Sequence, residues 1–206
     1  MTFRILVVCQ ANVCRSPAIA AVLDKSLAAE MDLTISSRGV RPALGRPACP
    51  AMSALLGPSS ATERMLTSHQ PTALAPGDLE DADLVLCADQ RERAAAVRLL
   101  PTVRARAFTL SEAAQLVTGG GESLERPDDL AVLVSELNEL RGTLAIPELE
   151  TAHSHRFLPW RRVRYSSLDV PDAHHQSGAS HAVVARRIVD LTGSLAVGLL
   201  ALGARG

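Results

Sequence analysis

The chain predicts an α/β protein, an open, doubly wound sheet of four parallel strands with helices on both faces. Three observations carry that expectation. A short apolar run, Ile5 to Val8, stops at Cys9 and passes through a polar loop into a helix start. Strand, helix and strand then follow one another within residues 5–37, a βαβ unit that calls for a right-handed crossover and a parallel sheet. Asp83-Leu-Val-Leu-Cys-Ala88 is nearly all apolar, as a strand covered on both faces must be.

The elements follow in order. Ala18 to Met31 is rich in alanine and leucine with polar breaks at Asp24, Lys25, Ser26 and Glu30, the pattern of an amphipathic helix. Leu33 to Ser37 alternates as a second strand and ends at Arg38-Gly39. Residues 41–47 read as loop, Pro50 to Leu56 as a short helix, and Gly57 to Pro76, punctuated by proline, serine and threonine, as largely loop. After the third strand, Gln90 to Leu100 is an arginine-studded helix and Arg104 to Phe108 a fourth strand. A helix runs from Ser111 to Val117, opened by the capping-type pair Ser111-Glu112. Leu130 to Leu140 is helical, residues 142–168 are irregular, and Ala179 to Leu200 is a long closing helix. A single domain over residues 1–206 is expected, with an irregular insertion at about 119–166.

Composition narrows the function classes. With 206 residues and 47% hydrophobic composition the chain has enough apolar matter for a core. Lys+Arg 21 against Asp+Glu 22 leaves a net charge of -1, so no basic field favours nucleic acid or a membrane surface. Cysteines 9, 14, 49 and 87 have neither paired metal spacing nor the density of a secreted disulfide scaffold, which implies a reducing cytoplasm. The apolar run at the N-terminus is too short for a signal-peptide core, and Leu195 to Ala204 too short for a membrane span. A soluble cytoplasmic protein is expected.

The chemistry concentrates between Cys9 and Arg15. Gln10, Ala11, Asn12, Val13 and Cys14 separate them, and Ser16-Pro17 follows in what should be the first helical turn. A loop of this size can aim successive backbone N–H groups at one centre, and with a helix N-terminus behind it can bind a phosphate-like dianion. Arg15 adds a planar fork for two phosphate oxygens. Cys9, at the strand end, would lie beneath the phosphorus, where the same field stabilises a thiolate. Ligands on such sheets bind beyond the carboxyl ends of the strands, which is where Cys9 falls. Cys14, in the same loop, could trap an oxidised Cys9 as a disulfide.

With Val7-Val-Cys-Gln-Ala-Asn-Val-Cys-Arg-Ser-Pro17 quoted, the chain resembles the low-molecular-weight protein tyrosine phosphatase family, whose signature has a nucleophilic cysteine, an asparagine three later and Arg-Ser in this spacing. The resemblance extends through Ile35 to Gly39, Ser68-His69 and Asp83 to Leu86, and covers roughly residues 3–118 and 166–203. It implies a flavodoxin-like four-stranded fold and a phosphocysteine mechanism without cofactor or metal, acting on a phosphorylated protein or a small phosphomonoester.

The family's general acid is an aspartate on a late loop. Here that loop reads Leu168-Asp-Val-Pro-Asp-Ala-His-His175, so Asp172 matches the acid, with Asp169 a competitor. Ala173 stands for the family's proline and His174-His175 for its aromatic pair. Ala11 stands where the family usually has glycine and would carry strain if that position needs positive φ. The resemblance implies that Asn12 and His69 brace the loop and that Ser16 assists the thiolate. His153, His155, His174, His175 and His181 lack the helical spacing and carboxylate company of a defined zinc site.

Three other functions stay open. Aromatic poverty, with one Trp, one Tyr and three Phe, leaves few rings to stack on phosphotyrosine and keeps a small phosphorylated metabolite as a rival substrate. A thiol-linked arsenate reductase would relay through cysteines after the third strand, but none follows Cys87. A catalytically weak phosphate-binding module is the non-enzymatic alternative. Arg156, Arg161, Arg162 and Arg164 around Trp160, with Tyr165, form a candidate specificity segment leading into the Asp172 loop.

Overall fold

The computed structural model describes residues 2–57, 60–119, 130–143, 149–153, 162–176 and 178–203. Its centre is a four-stranded sheet of β1 (Phe3–Cys9), β2 (Leu33–Gly39), β3 (Leu84–Cys87) and β4 (Ala107–Thr109), in the order β2-β1-β3-β4. All pairs are parallel, with Val7 opposite Ser37 on one side and Leu86 on the other. The doubly wound, flavodoxin-like expectation therefore describes the molecule.

Alternation along β1 divides the interior into two layers. Ile5, Val7 and Cys9 face a large core with Ala18, Ile19 and Leu23 of α1 (Arg15–Leu27), several residues of α6 (Leu110–Gly119) and Ile188 and Leu195 of α8 (His181–Gly203). Leu6 and Val8 face the other layer, with Val85 and Cys87 of β3, Leu79 of α4 (Pro76–Asp81) and Ala96 of α5 (Gln90–Leu99). The period-2 geometry of the strand thus delivers Cys9 to the α1 side of the sheet, at its carboxyl edge.

Several local expectations are corrected. The segment 57–76 holds a helix, α3 (Ser60–Thr67), following α2 (Pro50–Leu56). Its Leu66 is buried against Ala21 and Ala48, a tertiary reward that outweighs a turn-rich composition. The fourth strand is only Ala107–Thr109, because Pro101 opens a 3-10 turn that occupies Pro101–Arg106. The capping box at the start of α6 belongs to Thr109 and Glu112 rather than Ser111: the Glu112 amide donates to Thr109 Oγ1 and the Thr109 amide to Glu112 Oε2.

After α7 (Leu130–Glu139), the stretch read as irregular contains an antiparallel pair, β5 (Leu149–His153) and β6 (Arg162–Ser166). Arg156, Trp160 and Arg161 of the candidate specificity segment, and His155, lie outside the described residues. Among the described residues no helix is long and apolar enough to cross a membrane.

Two glycines of α8 make opposite demands. A Cβ at Gly198 would fall on the Cγ1 methyl of Val117 in α6, whereas one at Gly193 meets nothing within 4 Å. Gly198→Ala should therefore lose about 1–3 kcal/mol to overpacking, while Gly193→Ala should gain about 0.5–1 kcal/mol from helix propensity. Urea denaturation of the two variants checks the sign of each.

Candidate active site

The loop from Cys9 to Arg15 is turned with its carbonyls outward. Val40 N donates to Cys9 O (3.0 Å), Arg41 N to Gln10 O (2.8 Å), Ala43 N to Ala11 O (2.9 Å) and Cys49 N to Val13 O (2.8 Å). Between these, Asn12 O lies 2.6 Å from His69 Nε2. A carbonyl only accepts, so that His69 nitrogen carries the proton. With these oxygens engaged by the surrounding chain, the peptide N–H groups are left to face the space above Cys9, and Asn12 N donates to Cys9 Sγ at 3.3 Å.

Asn12 sets the turn. Among the described residues it is the non-glycine residue with positive φ, at 53°, so the strain expected at Ala11 falls one residue later, on a side chain that tolerates this conformation. Its buried amide is fully used: Nδ2 donates to Ser16 Oγ and Ser37 Oγ, both at 2.9 Å, and Oδ1 accepts from Thr72 N at 2.8 Å. The Thr72 amide is an obligatory donor and therefore fixes which way the Asn12 amide points. Gly39 makes the close approach possible, since a Cβ there would sit 2.9 Å from Asn12 Cβ. The expected pairing of Asn12 with His69 is present through the Asn12 backbone oxygen.

Ser16 Oγ lies 3.0 Å from Cys9 Sγ. Because that oxygen already accepts from Asn12, its own hydrogen turns to the sulfur or to Arg38 O at 3.4 Å, and the sulfur is nearer. Cys14 precedes α1 without supplying a side-chain cap, so the first amides of the helix stay available to an anion.

Arg15, 4% exposed, is held from several sides. Its NH1 donates to Asp89 Oδ2 (3.0 Å) and Val170 O (3.2 Å), and its NH2 to Glu92 Oε1 (2.9 Å) and Asp172 Oδ2 (3.1 Å). Sequence reasoning missed Asp89 and Glu92. The Asp-x-x-Glu start of α5 was the available signal, and Asp89 does cap that helix by accepting from the Arg91 and Glu92 amides. Burial, reinforced by the Asp89 hydrogen bond, pushes the Glu92 carboxyl up to about 9. For Asp89 burial opposes ionisation, but the Glu92 hydrogen bond and the Arg15 charge hold it below the usual carboxylate range. Glu92 thus holds its proton while Asp89 stays ionised beside Arg15.

The late loop is stitched to the sheet edge by Val170 N donating to Ala88 O at 2.8 Å. Asp169 turns to the start of α5, where its Oδ1 accepts from Gln90 N at 3.0 Å. Asp172 turns to the loop: besides Arg15, it accepts from the His174 amide at 2.9 Å, and its side chain is 24% exposed. Cys9, Arg15 and Asp172 open onto one cavity of about 430 Å³, whose walls include Ala11, Val13, Ala43, Pro47 and Pro50.

Cys14 sits beside both Cys49 and Cys9; burial, then Cys49, push its thiol far above the ordinary range. Cys87 lies in the opposite core layer, fully buried, with its thiol likewise raised by burial. A further group that the sequence spacing concealed brings Cys14 and Cys49 together with His174 and His181.

A family model described as low molecular weight phosphotyrosine protein phosphatase matches residues 4–120. The chain is 31% identical over 103 residues to the low molecular weight protein-tyrosine-phosphatase Wzb of Salmonella typhi; the match takes in 50% of this chain and 65% of that relative, just under two thirds of its length. Among solved structures it is similar to Vibrio vulnificus Wzb in complex with benzylphosphonate (TM-score 0.58, 19% identity, 96% of this chain and 99% of that one). It is also similar to the YwlE arginine phosphatase of Geobacillus stearothermophilus (TM-score 0.60, 20% identity, 97% and 94%). At these identities both structures bear on the fold.

The proton held by Glu92 gives a signature in stability. The folded Glu92 carboxyl keeps its proton up to about 9, whereas an unfolded one releases it near 4.5. Its contribution is therefore fully present at the acid end and is lost as pH rises through that window. Glu92→Gln keeps a neutral partner for Arg15 at every pH, so urea stability of this variant should fall less steeply than wild type across the same range. Parallel slopes would place the proton elsewhere.

Proposed function

Because this chain belongs to the low molecular weight phosphotyrosine protein phosphatase family, we propose that it hydrolyses aryl phosphomonoesters, protein phosphotyrosine first among them, through a phosphocysteine at Cys9. The observation that carries this reading is the loop turned carbonyl-outward above the Cys9 sulfur, with Arg15 and Asp172 opening onto the same cavity.

Each part has one task. The Cys9 thiolate attacks phosphorus in line, forming the S–P bond as the P–O bond to the leaving group breaks. Inward amides, the α1 N-terminus and Arg15 hold the non-bridging oxygens as charge develops. All four terminal N–H bonds of Arg15 are engaged, and its most exposed partner is Asp172, so an arriving dianion takes the place of that carboxylate on NH2. Asp172, released from Arg15, takes a proton from solvent, turns toward the leaving oxygen and gives it that proton. It next takes a proton from water as that water attacks phosphorus; the S–P bond breaks, and inorganic phosphate leaves. Ser16 Oγ, 3.0 Å from the sulfur, donates to the thiolate as it departs. Asp169, committed to the Gln90 amide, is the poorer candidate for the acid.

The apolar wall of Ala11, Val13, Ala43, Pro47 and Pro50 suits an aryl ring better than a polyol. This favours an aryl phosphate over a sugar phosphate despite the scarcity of aromatic rings. The fold itself decides nothing here, since relatives of this shape are named as tyrosine and as arginine phosphatases. A reductase relay through Cys87 is disfavoured by its place in the opposite core layer.

Cys9→Ser should abolish turnover of an aryl phosphate with the circular dichroism spectrum unchanged, and substantial residual turnover would sink the covalent route. Asp172→Asn should cost on the order of 10²–10⁴ in rate on poor leaving groups and much less on activated ones, with Asp169→Asn close to wild type. If phosphotyrosine peptides are turned over no faster than sugar phosphates, the substrate assignment fails while the mechanism stands.

A further inference from the structure

Four side chains from four separate segments meet beside the phosphate loop. Cys14 ends that loop, Cys49 precedes α2, His174 follows Asp172 by two residues, and His181 opens α8. Their ligand atoms all lie within 4.8 Å of one another. His181 Nε2 is 3.3 Å from His174 Nε2 and 3.4 Å from Cys49 Sγ. The geometry points to a tetrahedral Cys2His2 site for a zinc-class divalent metal, which ties the Asp172 loop to the phosphate loop.

The distances are those a metal would impose. Imidazole nitrogens bound at about 2.0–2.1 Å to a tetrahedral zinc are about 3.3 Å apart, and a nitrogen and a thiolate sulfur about 3.5 Å. The two contacts of His181 Nε2 already match, and every other pair lies within 4.8 Å, at most about 1 Å beyond the sulfur–sulfur separation of about 3.8 Å that a tetrahedral zinc sets. Hydrogen bonding alone serves the group poorly: the one free position on His181 Nε2 has to satisfy both a thiol and a second imidazole.

Donor type selects the metal. Two thiolates and two imidazoles favour zinc over magnesium or calcium, and four protein ligands make a closed, structural site. Cys14 and Cys49, 8% and 4% exposed, form its inner half, while His174 is exposed and gives the ion a way in. Each thiol releases one proton to solvent as its sulfur–metal bond forms. The site is then neutral overall, two thiolates against a divalent ion, and does not cancel the field that draws a dianion to Cys9.

The consequence for the loop rests on the phosphatase reading; the metal site does not. The His174 backbone amide donates to Asp172 Oδ1 at 2.9 Å, so holding the His174 ring holds the carboxylate that faces Arg15. Metal on Cys14 also removes that thiol from any reaction with an oxidised Cys9.

Cobalt is the probe. Reduced, chelator-stripped full-length protein should take up one Co²⁺ per chain with the strong visible bands of a tetrahedral site and a thiolate-to-cobalt charge-transfer band, both abolished by one equivalent of Zn²⁺. Cys9→Ser should behave as wild type, which separates this site from the nucleophile. Cys49→Ala and His181→Gln should lose the charge-transfer band or the tetrahedral spectrum. His174→Gln, at an exposed position, supplies a variant that folds if the buried ones do not, and should weaken Co²⁺ binding at least tenfold. Weak octahedral absorption in the wild type would overturn the proposal. So would loss of the signal in Cys9→Ser, or its survival in His174→Gln at wild-type affinity. Because the readout is metal binding, it holds or fails whether or not phosphotyrosine is the substrate.

Discussion

The arrangement depends on turning one short loop inside out. Peptide groups between Cys9 and Arg15 could have spent their amides on neighbouring chain, as most buried backbone does. Instead their carbonyls are taken up by Val40, Arg41, Ala43, Cys49 and His69, and the amides are left for an anion. Left-handed backbone at Asn12 makes the reversal, and the Asn12 side chain then holds it through Ser16, Ser37 and Thr72. The cost of an unusual conformation is offset by three side-chain hydrogen bonds in a buried place. A methyl group at Gly39 would push the whole assembly off the end of β2.

Charge follows from that geometry. Arg15 is pinned at the first turn of α1 by Asp89, Glu92 and Asp172, and three full negative charges around one buried guanidinium would be hard to sustain without water. Keeping one proton on Glu92 relieves the excess while preserving a hydrogen-bonded cradle. In the proposed mechanism the exposed member, Asp172, is the one an incoming dianion replaces, so the contact with Arg15 also hands over the acid. Substrate binding and acid positioning are in this way one exchange.

What was legible in the sequence is what depends on near neighbours. The unbroken apolar character of β1 and β3 and the βαβ order specify the parallel sheet, and the run from Cys9 to Arg15 specifies a tight loop between a strand end and a helix start. Features set by distant contacts were hidden. Leu66 makes a helix of a segment whose composition reads as loop, because Ala21 and Ala48 wait to cover it. Pro101 shortens β4 from its N-terminal end. Glu92 reads as an ordinary first-turn acid until the fold aims it at Arg15. The gathering of Cys14, Cys49, His174 and His181 leaves no spacing pattern, since its members come from a loop, two helix starts and the late loop.

The central claim is that Cys9, under the inward amides, carries the phosphoryl group. Acid quenching of the protein during turnover of an aryl phosphate, followed by peptide mass spectrometry, tests it most directly. The account predicts a phosphoryl group on the peptide that begins the loop, attached to Cys9 and labile as a thiophosphate ester is. A phosphoryl group on Ser16 or on a histidine, or undiminished turnover with no phosphoenzyme at any quench time, would contradict it.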